Sequence, residues 1–241
     1  MLIETEVLVL KGVRYSDTHS IVHTYSEDFG TLSFRVSHAN SRRRRGGMRA
    51  FFIPLSLLRV SLDYRQNNDI HLPREVSIVH APLRPTIDPH ANAIALLITE
   101  VLSRVLRIHQ SDTQLYNFIR GEVLRLETVS TAELPAFHLA LLSGLCLHLG
   151  VMPSTEGYQE GYILQPQEGR FTPPISAEEH RRIPASALFY QFITSPTPEL
   201  LPLNRHQRND LLALLLHYLA HYYPSLEHLR SPDVLKRLFV D

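Results

Sequence analysis

The sequence predicts an α+β chain: a small N-terminal five-stranded barrel over residues 1–80, then a larger helical domain over 81–241 with an irregular insert at 151–175. Three observations carry that prediction. Residues 1–80 alternate apolar and polar types, are rich in β-branched and aromatic side chains, and meet turn signals at short intervals. From residue 89 onward apolar residues recur at three- and four-residue spacing. Between 151 and 175 that spacing fails, where Gly157, Gly161 and Gly169 stand among Pro153, Pro166, Pro173 and Pro174.

The first three strands are expected at Glu4–Leu10, Ser20–Tyr25 and Gly30–Val36, separated by turns at Tyr15-Ser16-Asp17 and Glu27-Asp28-Phe29-Gly30. Two more are expected at Ala50–Val60 and Asp69–Val79, joined near Gln66-Asn67-Asn68-Asp69. Five short strands in so few residues favour closure, because a closed barrel leaves no long edge unpaired. Pro82, Pro85 and Pro89 then form a hinge, and Asp88-Pro89 starts a helix with an acidic cap and a proline preset for the first turn. That helix runs through Ile94, Leu97, Ile98, Val101, Leu102, Val105 and Leu106.

Capping boxes at Ser111-x-x-Gln114 and Ser130-x-x-Glu133 predict two further helices, the second ending at Gly150. The insert is expected to hold a hairpin at Tyr162–Phe171, turning near Glu168-Gly169. Helices are expected again at Ser176–Arg182, Ala185–Thr194 and Asn204–Tyr222, with Asn204 as N-cap and Pro224 as stop, and a short one after Ser231.

Charge is balanced, 24 basic against 24 acidic residues, so only local asymmetry can attract a polyanion. Residues 1–80 hold 11 Lys and Arg against 8 Asp and Glu, and the remainder 13 against 16. Arginine dominates, with Lys11 and Lys236 the only lysines. The single cysteine, Cys146, can form no disulfide within the chain and excludes a zinc site built on two cysteines of it. No charged leader with an apolar core opens the sequence, and no run reaches the roughly 18 apolar residues of a membrane span. A soluble cytoplasmic protein with no membrane association is the expectation.

The densest chemical feature is Arg42-Arg43-Arg44-Arg45, followed by Arg49, in a polar stretch flanked by Gly46-Gly47. A guanidinium is charged at any physiological pH and presents a donor fork matched to phosphate oxygens. An arm between strands of a small barrel is also where oligonucleotide-binding folds grip their ligand. The run therefore reads as a backbone-binding loop on nucleic acid. A solvated loop and a nuclear-localisation patch remain alternative readings.

No P-loop, nucleophile elbow, paired acidic cluster or dinucleotide fingerprint occurs, so phosphoryl transfer and hydrolysis lack their recognisable parts. A non-enzymatic binding protein without cofactor is the expected class. His217 and His221 stand four apart on a predicted helix but lack the glutamate of a zinc-protease motif, and a surface pair is the more economical reading. His19 and His23 share one face of a predicted strand and could add pH-dependent charge beside the arginines. His138 and His148, on an apolar helix, read as buried imidazoles.

The stretch Val9 to Val22, with its tyrosine-acid turn, resembles the opening strand, turn and second strand of the bacterial recombination mediator family RecO. Phe29-Gly30-Thr31-Leu32-Ser33-Phe34 is similar to the family's next glycine turn and strand, the arginine run falls at its basic segment, and Phe51-Phe52-Ile53-Pro54-Leu55 resembles the hydrophobic-proline stretch that follows. About 60 N-terminal residues carry this likeness in detail. The rest matches by layout, at Leu149-Gly150, Glu168-Gly169-Arg170-Phe171 and Leu229-Arg230-Ser231. Many members carry a four-cysteine zinc module where this chain has residues 151–175. Lacking cysteine there, the insert must be held by packing of Tyr158, Tyr162 and Phe171.

The resemblance implies an oligonucleotide-binding (OB) fold barrel that binds single- and double-stranded DNA, promotes strand annealing, and acts near the nucleoid. It further implies partnership with RecR, docking on the C-terminal tail of single-stranded DNA-binding protein, and, indirectly, help in loading RecA. Arg42, Arg43, Arg44, Arg45 and Arg49 are the first expected DNA contacts, and Lys11, Arg14 and Arg35 the second, with salt bridges to Glu4, Glu6 or Asp17 as the competing use. Phe34, Phe51 and Phe52 either stack on bases or, for at least two of them, fill the core. For the acidic, apolar-ended tail, Arg104, Arg107, Arg120, Arg125, Arg205 and Arg208 are rim candidates on the helical domain. The alternatives are a protein scaffold, or an RNA-binding OB-fold protein separable by DNA and RNA competition.

Overall fold

The computed structural model describes residues 1–37, 51–106 and 110–238, and Arg42 to Arg45, Arg49 and Arg107 lie outside them. Two compact units follow one another, 1–128 and 129–241. The first contains a five-stranded antiparallel sheet of β1 (Leu2–Arg14), β2 (His19–Ser26), β3 (Gly30–Ser37), β4 (Leu57–Asp63) and β5 (Pro73–His80), in the order β3-β2-β1-β4-β5. The sheet curls until β3 meets the segment before β5 through a parallel bridge between Phe34 and His71. Arg35 N–H donates to the His71 carbonyl at 2.9 Å, and His71 N–H to that of Ser33 at 2.8 Å. Antiparallel neighbours closed by a parallel contact between the third and fifth strands make this an OB-fold barrel.

Alternation decides which side chains fill it. Ile3, Val7 and Val9 of β1, Val22 of β2, Leu32, Phe34 and Val36 of β3, and Leu58, Val60 and Leu62 of β4 form one buried cluster with Phe52. Phe34 and Phe52 are therefore core, their rings 6.4 Å apart, while Phe51 packs on the cluster half-buried. A bulge between Val9 and Lys11 changes the facing of β1. Without the extra residue Leu10, Lys11 would follow Val9 into the barrel; with it, Lys11 lies opposite His23 on the outer face.

β4 begins at Leu57, not at Ala50 as alternation suggested. Pro54 cannot donate to a ladder, and Leu55 takes a left-handed φ of 67° that ends any strand through it. Burial of the Leu55 side chain and its N–H bond to the Val9 carbonyl at 2.8 Å offset that strain.

The sheet ends at His80, and the first compact unit continues to Thr128 because α1 (Arg84–Ile87), α2 (Pro89–Val105) and α3 (Thr113–Thr128) belong to it. Asp88 caps α2 as expected, accepting from His90 and Ala91 N–H. The predicted box at Ser111 is replaced by Asp112, whose carboxylate accepts from Leu115 N–H at 2.9 Å. Polar contacts join helices to barrel: Tyr25 Oη donates to the Gln110 carbonyl at 3.1 Å, Thr31 Oγ1 to that of Leu106 at 2.7 Å, His80 of β5 meets Glu127 of α3 at 3.5 Å, and Glu6 receives α3. Glu6 Oε1 accepts from Arg120 Nε at 2.7 Å and Tyr116 Oη at 3.1 Å, and its side chain is only 11% exposed. Glu6→Gln is expected to lower stability by about 2–3 kcal/mol in urea unfolding, because it leaves charge-assisted bonds unmade at a largely buried position.

The second unit holds α4 (Leu134–His148), a hairpin of β6 (Ile163–Gln165) and β7 (Arg170–Thr172), α5 (Ala177–His180), α6 (Ile183–Thr194), α7 (Arg205–Tyr222) and α8 (Ser231–Leu238). The box at Ser130 and Glu133 forms in both directions before α4. Gly150, at φ 71°, closes it, as Val151 N–H reaches back to the Cys146 carbonyl at 2.9 Å. Asn204 and Gln207 make the reciprocal box that opens α7. His138 is buried, but His148 is only half-buried, because it sits on the last turn of α4, where the buried stripe ends.

Aromatic packing holds the insert. Tyr158 stacks on Tyr190 with ring centres 3.7 Å apart and meets Phe171 edge-on at 5.3 Å and Tyr162 at 6.5 Å. Tyr190, from α6, also meets Phe171 edge-on at 5.7 Å. The three aromatics read from the sequence do cluster, and Tyr190 completes them.

Candidate nucleic-acid interface

Barrel closure brings together two loops that are far apart in sequence. The β1–β2 turn presents Tyr15, and the β4–β5 loop, residues 64–72, presents Arg65, Asn68, Ile70, His71 and Leu72. Between them the outer faces of β2 and β3 present Ile21 and Arg35. The result is a groove of about 610 Å³. His71 fixes the long loop, being buried, bonded to β3 through its backbone, and stacked on Tyr64 at 5.3 Å with rings 5° from parallel.

The groove combines exposed apolar surface with positive charge. Tyr15 is 73% exposed and Leu72 58%, surface that unpaired bases can cover. Arg35 and Arg65 are exposed and make no ion pair among the described residues, whereas Arg74 is held by Asp63. Free guanidiniums beside exposed rings suit a ligand with phosphates and aromatic bases.

The other residues singled out from the sequence fall in different places. Lys11 is exposed opposite His23 on the outer face of the sheet, the face that carries Arg35 on β3 beyond β2. Arg14 lies opposite Ser20, on the face that carries Val22, and donates to Asp17 at 2.5 Å, so the competing salt bridge forms there. The carboxylates Glu4 and Glu6 pair instead with Arg59, each at 3.9 Å, and Glu6 with Arg120. Arg65, Ile70 and Leu72 went unread. Arg65 stood beside an expected turn, and Ile70 and Leu72 fell in a strand expected from Asp69, whereas β5 begins at Pro73 and only closure of the barrel places the segment before it across from β3.

Of the six arginines considered for an acidic tail, Arg107 lies outside the described residues and the other five fall in two units. Arg104, Arg120 and Arg125 belong to the first unit and pair with Glu100, Glu6 and Glu122. In the second unit Arg205 donates to the Lys236 carbonyl at 2.7 Å and Arg208 to that of Leu203 at 2.6 Å. His217 and His221 are exposed on α7, and among the described residues no three His, Cys, Asp or Glu side chains converge as a metal site would require. Among the described residues, no helix is long and apolar enough to cross a membrane.

Comparison with known proteins points the same way as the barrel. The family model described as Recombination protein O N terminal matches residues 1–82. The DNA repair protein RecO of Porphyromonas gingivalis is 30% identical over 245 residues, covering 99% of this chain and 100% of that protein. The proteins of the same name from Bacteroides fragilis, 30% identical over 245 residues, and Phocaeicola vulgatus, 29% over 249, are covered to the same extent.

Proposed function

Since the chain belongs to the RecO family of DNA repair proteins, we propose that its barrel binds single- and double-stranded DNA and promotes annealing without being an enzyme. The observation that carries this reading is the groove between the two loops, where Arg35 and Arg65 lie beside exposed Tyr15, Ile70 and Leu72. It occupies the surface on which OB folds take oligonucleotides.

Annealing needs no reacting side chain. Two strands repel through their phosphates, and a protein that neutralises both backbones lowers that repulsion while base pairing supplies the driving force. The groove would hold one strand by its bases and phosphates. Arg42 to Arg45, which follow β3 in the sequence, would supply further backbone charge to it or to the second strand. With RecR, the protein would act on DNA coated by single-stranded DNA-binding protein, docking on that protein's C-terminal tail, and so help load RecA. A cytoplasmic, nucleoid-associated location follows from that role.

The test is binding and annealing by the purified full-length chain. Arg35→Ala and Arg65→Ala are each expected to weaken binding of labelled oligothymidylate and to reduce the slope of log affinity against log salt by about 0.7. Both variants should also slow pairing of two complementary oligonucleotides. Wild-type protein that neither binds the single strand at low salt nor speeds pairing would refute the reading.

A further inference from the structure

We propose that Tyr15, Ile70 and Leu72 form a slot for unpaired bases, through which the groove tells a single strand from the duplex that the strand forms. This rests on the DNA-binding reading above. Tyr15 stands on one wall. It sits in the β1–β2 turn, where its own N–H and that of Ser16 both donate to the His19 carbonyl, at 3.1 and 3.0 Å. Ser16 Oγ in turn accepts from Thr18 N–H at 3.3 Å and from His19 N–H at 3.1 Å. The turn is thus cross-bonded through its backbone, and the ring it carries is left largely in solvent.

Ile70 and Leu72 stand on the other wall, and the burial of His71 between them explains why they face outward. The N–H and carbonyl of His71 both bond to β3, and its ring lies against Tyr64, so in extended backbone its two neighbours point the opposite way. Pro73 keeps Leu72 extended. Ile70 is 45% exposed, close to the value for Leu72. Large apolar side chains gathered at the surface around one groove mark a contact site. Arg35 and Arg65 beside them define its ligand, a chain of phosphates that carries flat, weakly polar rings.

In a duplex each base is covered on its faces by the stack and held at its edge by its partner, so reaching Tyr15 costs unstacking and unpairing. Phosphates stay available in both forms, and guanidiniums alone do not separate them. Discrimination therefore comes from the apolar residues and not from the charge. It also gives annealing a direction. When a complement pairs with the bound strand, the new stack competes for the bases that Tyr15, Ile70 and Leu72 had covered. The protein then keeps only its phosphate contacts.

The experiment compares three labelled ligands by fluorescence anisotropy: oligothymidylate, its duplex with oligoadenylate, and a strand of equal length made of abasic sites. Tyr15→Ala should lower the ratio of single-strand to duplex affinity about tenfold, leaving duplex affinity and both salt slopes unchanged, because stacking is lost and no phosphate contact is. Tyr15→Phe keeps the ring face and should keep the wild-type ratio. Wild type should bind the abasic strand at least about tenfold more weakly than oligothymidylate, a result that needs no variant to fold. The abasic strand should not distinguish wild type from Tyr15→Ala. Equal losses on strand and duplex in Tyr15→Ala, an unchanged ratio, or an abasic strand bound as tightly as oligothymidylate overturns the inference and leaves DNA binding in place. Wild type that binds neither strand nor duplex at low salt defeats the underlying reading, and the inference with it.

Discussion

Replacing Arg42, Arg43, Arg44 and Arg45 together with alanine is expected to flatten the salt dependence of single-strand binding by up to about 3 log units of affinity per log unit of salt. Each phosphate contact on a single strand releases roughly 0.7 of a counterion, so four lost contacts account for that figure. The prediction rests on residue type and position. Four guanidiniums in succession, between Asn40-Ser41 and Gly46-Gly47, follow directly on the strand whose outer face carries Arg35. Urea unfolding of the variant beside the wild type separates a lost contact from lost folding. An unchanged slope, measured by anisotropy across a salt series, would remove these arginines from the interface. It would leave Arg35, Arg65 and Lys11 to carry binding.

The elements that could be read from the sequence are those whose signal is local. Alternation and the turn at Gly30, which takes a φ of 65°, place β2 and β3 within a residue or two. Asp88-Pro89, Ser130 with Glu133, and Asn204 with Gln207 mark helix starts through bonds between neighbours in the chain. Local reading failed where two signals competed. At Ser111 a capping pattern stood one residue before Asp112, and the carboxylate became the cap. At residues 50–56 an apolar run suggested strand, but Pro54 and the left-handed Leu55 postponed β4 to Leu57.

The candidate site was legible only in part, because most of it is assembled by closure. Arg35 and Lys11 could be found as cations on strands. Their neighbours Arg65, Ile70 and Leu72 become neighbours only when His71 bridges to Phe34, more than thirty residues away in sequence. The bulge at Leu10 matters as much, since it puts Lys11 outside the barrel and into line with His23. Tyr190 shows the same effect in the second unit. On its own helix it is one aromatic among several, and its stacking on Tyr158 depends on how the insert folds back.

The buried histidine of α4 has a consequence for stability that its sequence context only hinted at. Burial in the second unit, aided by the charge of Arg208, pushes the His138 imidazole down to about 3. In the unfolded chain the same group titrates near 6.5. Between those two values the unfolded state binds a proton that the folded state refuses, so the folded form loses ground as pH falls. Its contribution is fully present above about pH 6.5 and diminishes by about 1.4 kcal/mol for each pH unit below that, until the folded group itself titrates near pH 3. Glu179, whose carboxylate is held low by the Ile175 N–H and Gln165, changes stability in the same direction, so total acid sensitivity does not isolate the histidine. The difference between wild type and His138→Gln does. Urea unfolding followed from neutral pH downward should show the wild-type chain losing stability more steeply than the variant, by up to that amount per unit. Parallel curves would mean that His138 takes up its proton without unfolding. An NMR titration of the wild-type imidazole gives the same answer without a substitution, since the ring should remain neutral well below the ordinary histidine range.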